Sequence, residues 1–141
     1  MKLNVFTEEE ASIIDKSKIT AFFGSDMFRR ITCADKYLRE IEFTMSVPLN
    51  EIYSDENIPE SEYAVVQGVI DGMILNGKNA EIVDYKTDRV KSAEELCKRY
   101  KAQMLMYKKA AEECFGAENV NVTLYSFELS QEISVNFEKN T

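Results

Sequence analysis

Two carboxylates and an ammonium, Asp71, Asp84 and Lys86, fall in one short stretch of the chain, in a pattern that could hold a cation. The stretch reads Gln67-Gly-Val-Ile-Asp71-Gly-Met-Ile-Leu, then Asn76-Gly-Lys-Asn, then Ala80-Glu-Ile-Val-Asp84-Tyr-Lys86-Thr-Asp88. Both flanks are rich in β-branched residues, and the Asn-Gly between them is a strong hairpin signal. Strand side chains alternate between faces, so Asp84 and Lys86 project from the same one. A two-residue loop sets Asp71 opposite Ile82 and a four-residue loop sets it opposite Asp84. The carboxylates share a face in either register, and only an odd-length loop would part them.

Carboxylates about 5–8 Å apart on neighbouring strands repel, and partial burial makes charging them harder still. A hard divalent cation removes that penalty; Mg²⁺ commonly takes one or two protein carboxylates and completes its shell with water and substrate phosphate. A lysine two residues on can steady the charge that develops at phosphorus. Val69, Met73 and Ile82 are expected on the same face, which argues against a merely solvated charge cluster.

The elements around the hairpin are readable from pattern. Thr7-Glu-Glu-Glu10 begins a helix through about Ile14. Asp15 or Ser17 caps a second, Lys18 to Phe23, and Met27 to Ala34 forms a third. Lys36 to Val47 alternates as a strand, with Tyr37, Arg39, Ile41, Phe43 and Met45 on one side and Leu38, Glu40, Glu42 and Thr44 on the other. Pro48 to Glu62 reads as a polar loop or flap. Ser92-Ala-Glu-Glu95 and Gly116 bound a long helix, with Leu96, Tyr100, Gln103, Tyr107, Ala110 and Cys114 as its buried stripe. A buried Gln103 amide needs partners, and Tyr107 is its i,i+4 neighbour. Strands follow at Asn119 to Phe127 and Ile133 to Phe137. The result is an α/β chain, a mixed sheet of about five strands flanked by helices.

At 141 residues the chain is read as a single domain. No apolar run approaches a membrane span, and the start, Met-Lys-Leu-Asn before Glu8-Glu-Glu, does not read as a signal peptide. Cys33, Cys97 and Cys114 are odd in number and scattered, as expected for reduced thiols in a cytoplasmic protein and not for a zinc cluster. There is no histidine, which excludes Ser-His and Cys-His nucleophiles and histidine-ligated zinc. Net charge is −8, yet Lys86 to Lys109 carries +5 and the remainder −13. Arg89, Lys91, Lys98, Arg99 and Lys101 in that band suit a phosphate backbone.

Asp71 with Asp84-Tyr85-Lys86 resembles the PD-(D/E)XK nuclease motif. Gln67-Gly-Val-Ile-Asp71-Gly, Val83-Asp-Tyr-Lys-Thr-Asp-Arg-Val90 and Gln103-Met-Leu-Met-Tyr107 look like the RecB-type nuclease domain. Arg39-Glu-Ile-Glu-Phe-Thr and Pro48-Leu-Asn-Glu-Ile-Tyr53 look like the C-terminal nuclease domain of AddA/RexA-type helicase–nuclease subunits. The resemblance runs from about Phe6 to the end. It implies a restriction-endonuclease-like core, and a Mg²⁺-dependent deoxyribonuclease (exonuclease), with Mn²⁺ able to replace the ion. Asp71, Asp84 and the Tyr85 carbonyl would hold the metal, Lys86 would position or deprotonate water, and Gln103 and Tyr107 would assist. Glu40 and Glu42 are weaker metal candidates. An iron–sulfur cluster found in some relatives needs four cysteines, which the chain lacks. Relatives also carry an upstream histidine on a helix, so the chain is expected to be a fragment beginning after it. The implied partners are DNA, an upstream helicase domain of the same polypeptide, and a second nuclease subunit of the AddB/RexB type, in double-strand-break resection. Two rival classes are a non-catalytic DNA-binding or assembly module, and a sugar or nucleotide enzyme using paired carboxylates without metal.

Overall fold

In the computed structural model residues 15–53 and 56–137 are described; the helix expected over Thr7 to Ile14 lies outside them. Asp15 caps α1 (Lys16–Phe23) by accepting from the Ser17 N–H at 2.9 Å. Ser25 caps α2 (Asp26–Cys33) by accepting from the Phe28 N–H. There follow β1 (Lys36–Pro48), a one-turn α3 (Leu49–Ile52), β2 (Tyr63–Asn76), β3 (Asn79–Lys86), α4 (Ala93–Phe115), β4 (Asn119–Ser126) and β5 (Gln131–Ser134). The stretch expected to be all loop after Pro48 therefore begins with a helical turn, closed by the Tyr53 N–H donating to the Leu49 carbonyl and tied to the residue before β2 by the Leu49 N–H donating to the Glu62 carbonyl.

The five strands lie in sequence order in one mixed sheet. β1–β2, β2–β3 and β4–β5 pair antiparallel, and β3–β4 pair parallel. A parallel pair needs a crossover, and α4 supplies it. Ser92 accepts from the Glu95 N–H at its start, and Gly116, left-handed at φ +68°, ends it.

α4 covers one face of the sheet. Leu96, Met104, Tyr107, Ala110 and Ala111 pack on Phe43, Ile70, Met73, Ile82, Val122 and Leu124. α1 and α2 cover the other, with Met27 and Phe22 against Ile74, Val83 and Tyr125. Arg30 of α2 anchors that layer: it donates to both carboxylate oxygens of Glu81 on β3 and also pairs with Glu132 on β5.

One departure from the expected alternation bears on the site. Tyr37 packs under α2 whereas Ile41, Phe43 and Met45 pack under α4, so β1 changes face between them. β2 does the same: Ile70 faces α4, Ile74 faces α2, and Met73 faces α4 again. The register pairs Arg39 with Gly72 and Ile41 with Ile70, leaving Glu40 and Asp71 opposed at the switch. Glu40 has φ +50°, in the left-handed region that few non-glycine residues enter. Such a local distortion re-aims side chains as a bulge does. Val69 consequently lies on the face away from α4, 45% exposed, and not beside Met73 and Ile82 as the simple alternation has it.

Candidate active site

The hairpin tip is Gly77-Lys78, with Asn76 paired to Asn79 and Gly77 left-handed at φ +61°. Continued inward from Gly72↔Val83, this register sets Asp71 opposite Asp84. The ladder stops there. In its place Asp71 Oδ2 accepts from the Tyr85 N–H at 2.9 Å, so the first carboxylate is fixed to the strand that carries the second.

Asp84 is 2% exposed. Lys86 Nζ stands 2.7 Å from its Oδ2, an ion pair with both partners largely out of solvent. That oxygen is buried, and the Lys86 ammonium is its one close donor among the described residues. Burial pushes the Asp84 carboxyl up to about 6; the Lys86 ammonium pulls the other way, and the Asp71 carboxylate adds to the rise. An anionic oxygen, buried and short of donors beside a second carboxylate, fits a divalent cation with oxygen ligands. Among the described residues no group of three or more His, Cys, Asp or Glu side chains that could hold a metal ion converges.

Besides Asp84, two groups of α4 hold Lys86. Its Nζ donates to Gln103 Oε1 at 3.3 Å and lies 3.8 Å from the centre of the Tyr100 ring. Tyr100 in turn donates its hydroxyl to Asp88 Oδ2 at 2.7 Å, and Arg99 Nη1 binds the same oxygen at 2.8 Å. These bonds from Tyr100 and Arg99 hold the Asp88 carboxyl below its usual range. Gln103 is thus exposed and reaches Lys86 from the helix surface; Met104 takes the buried position that the spacing gave to Gln103. Tyr100 was legible only as a member of the stripe. The signal for its role was that it lies one turn before Gln103 on the same side.

Tyr107 is buried against Phe43, ring centres 5.7 Å apart at a steep angle. A Cβ on Gly68 would come within 2.8 Å of the Phe43 ring and 3.4 Å of Tyr107, so this glycine makes room for both. Burial raises the Tyr107 hydroxyl, with the Asp84 and Asp71 charges adding to it, but no hydrogen bond joins Tyr107 to them or to Lys86 among the described residues.

On the opposite face, Tyr85 and Tyr37 share a hydroxyl–hydroxyl bond of 2.9 Å. Burial, followed by that bond, raises the Tyr85 hydroxyl. Of the basic residues expected at a phosphate backbone, Arg99 is engaged by Asp88 and Glu95. Arg89, Lys91, Lys98 and Lys101 are exposed, with no ion-pair partner within 4.0 Å among the described residues. Glu40 is exposed beside Asp71, and Glu42 is exposed further along β1.

A mixed sheet with a β-hairpin presenting Asp…Asp-x-Lys and a helix crossing behind it defines the PD-(D/E)XK nuclease superfamily. The chain matches that superfamily over residues 7–139 and belongs to it. It is 31% identical over 133 residues to an ATP-dependent helicase/nuclease subunit of Geobacillus thermodenitrificans, covering 88% of this chain and 11% of that protein. Against the corresponding protein of Pelotomaculum thermopropionicum the identity is 36% over 131 residues, 92% of this chain and 10% of that protein. Against that of Clostridium perfringens it is 33% over 143 residues, 96% and 11%. The chain spans about a tenth of the length of these curated relatives. No helix among the described residues is long and apolar enough to cross a membrane.

Proposed function

We propose that this chain hydrolyses DNA phosphodiester bonds with a divalent metal, Mg²⁺ or in its place Mn²⁺. The observation that carries the reading is Asp84 Oδ2, buried next to Asp71 with Lys86 as its one close donor. Asp71 and Asp84 would hold the ion together with the Tyr85 carbonyl, which the resemblance to the family suggests. A bound divalent ion supplies Lewis acidity toward the phosphoryl oxygens.

The chain's own groups do the rest. The Tyr85 N–H keeps Asp71 aimed at the pair. Lys86 positions the attacking water or takes its proton, and its ammonium offsets negative charge developing at phosphorus. Gln103 and Tyr100 restrict where that ammonium can go. Tyr107 acts from below, by packing that keeps β1 and β2 in place against α4. Arg89, Lys91, Lys98 and Lys101 neutralise backbone phosphates, with Arg99 contributing mainly through Asp88.

The kinship with helicase/nuclease subunits supports a place in a larger ATP-driven enzyme acting on double-strand breaks in the cytoplasm. There it would work as an exonuclease, with an upstream helicase domain and a second nuclease subunit of the AddB/RexB type. The test is cleavage of linear DNA by the chain and by Asp84→Ala with Mg²⁺. Loss in the variant is expected, and cleavage at wild-type rate by Asp84→Ala sinks the assignment.

The two-carboxylate donor set also supports a second reading, a DNA-binding or assembly module without catalysis. Calorimetry separates the two. Mn²⁺ heat that disappears in Asp71→Asn belongs to the nuclease; no heat, or heat indifferent to that change, belongs to the module.

A further inference from the structure

Beside Asp71, on the face away from α4, α1 and α2 leave a cleft of about 900 Å³. That is within the range of small-molecule and cofactor sites. Its walls are aromatic and come from separate parts of the chain: Phe22 from α1, Phe28 from α2, Tyr85 from β3 and Phe127 from just after β4. Phe22 is the hub, with ring centres 5.4 Å from Tyr85, 5.7 Å from Phe28 and 5.7 Å from Phe127. All four rings are only partly buried, so the cluster is not closed core. Asp71 lines the same cleft, and the exposed Arg39 stands at its edge.

We propose that this cleft holds an unpaired nucleobase of the strand whose phosphodiester meets Asp71 and Asp84, with Arg39 taking a flanking phosphate. The proposal rests on the nuclease reading and adds where one base of the bound strand sits. Charge selects the occupant. Asp71 and Glu40 border the cavity and repel a phosphate from its interior, whereas a planar neutral base carries no charge to be repelled and finds aromatic rings to lie against. Base–aromatic stacking tolerates any sequence, because every base has a π-face. In a duplex the bases are already stacked on each other, so a duplex must be opened before it can fill the site.

The test uses this chain with a single-stranded oligonucleotide in EDTA, which separates binding from cutting. One set of strands carries a 2-aminopurine at successive positions; a second carries a single abasic spacer at the same positions. The expected result is fluorescence quenching at one position. At that position the abasic spacer, and on the protein Phe28→Ala, weaken binding about 5- to 100-fold. Arg39→Gln weakens binding without abolishing the quench. The abasic series needs no altered protein, so it decides the matter even if Phe28→Ala misfolds. Binding indifferent to every abasic position overturns the proposal, as does tighter binding to a blunt duplex than to the single strand. Mg²⁺-dependent cleavage run in parallel tells the two claims apart. Cleavage without any base effect removes the cleft alone, and neither cleavage nor binding removes both.

Discussion

The Lys86 ammonium lies over the face of the Tyr100 ring, 3.8 Å from its centre. The ring is held in turn by its hydroxyl's bond to Asp88 at 2.7 Å. A lysine on the strand is thereby positioned by a residue of the following helix and a carboxylate of the loop between them. A partly desolvated cation–π contact is worth about 0.5–2 kcal/mol. Tyr100→Leu is therefore expected to slow single-turnover DNA cleavage about 2- to 30-fold. Tyr100→Phe keeps the ring and loses only the Asp88 bond, so it should retain most of the rate. Equal losses in the two variants would show that the ring face is not what matters.

Asp84 gives a pH dependence whose sign follows from its displacement. Its carboxyl sits at about 6 against 3.8 for the ordinary group. The folded state thus binds the proton more tightly than the unfolded chain, and stability falls as pH rises from about 4 through about 6. The span corresponds to roughly 3 kcal/mol at most. Asp84→Asn does not titrate. In EDTA it should match the wild type near pH 4.5 and exceed it by about 1–2 kcal/mol at pH 7.5, the rest of the span lying below pH 4.5. Denaturant melts at the two pH values check this; a difference that does not change with pH contradicts it.

Gly72 tests the packing behind the carboxylates. A Cβ there would meet the Tyr37 hydroxyl at 2.3 Å and ring carbons at 2.8 and 2.9 Å. Tyr37 must then move, which breaks its bond to the Tyr85 hydroxyl. Gly72→Ala should cost about 1–3 kcal/mol, as overpacking of a filled site does. The same substitution in a Tyr37→Ala background should cost clearly less, read by a double-mutant cycle of thermal melts. A penalty that persists unchanged would place its origin in the backbone.

The basic band divides by its ion pairs. Lys98 and Lys101 are exposed and have no carboxylate within reach among the described residues, whereas Arg99 is shared by Asp88 and Glu95. Lys98→Gln with Lys101→Gln should flatten the plot of log affinity for single-stranded DNA against log salt by about 1 to 1.5, near 0.7 for each phosphate no longer neutralised. Arg99→Gln should change that slope little and act on cleavage through Asp88 and Tyr100. Fluorescence anisotropy across a salt series distinguishes them, and a larger slope change for Arg99→Gln would reverse the assignment.

Much of this arrangement was legible in the residues because it is built from local signals. Asn76-Gly77 announced the hairpin, Ser92 with Glu95 and Gly116 marked both ends of α4, and the spacing of Asp84 and Lys86 put them on one face. The β1–β2 face switch was not legible. It depends on Glu40 adopting a left-handed backbone that its side chain disfavours, and only the packing of Phe43 under α4 and of Tyr37 under α2 compels it. Gln103 was assigned to the buried stripe because a repeat of three and four cannot say which edge of the stripe meets solvent. The pairing of Lys86 with Tyr100 joins strand to helix, and no spacing rule within one element contains it.

The α4 crossover also divides these groups by the range of the contacts that hold them. Asp71 and Asp84 are joined by a tight hairpin whose contacts are near in sequence, and such hairpins close within about 1–10 μs. Tyr100 and Gln103 reach Lys86 only once the helix has docked and β4 has found its parallel partner, a non-local step that is intrinsically slower. The acidic pair thus depends on local pairing alone, whereas the set position of its lysine depends on a docked helix, so that α4 is what turns an anionic hairpin into a fixed site.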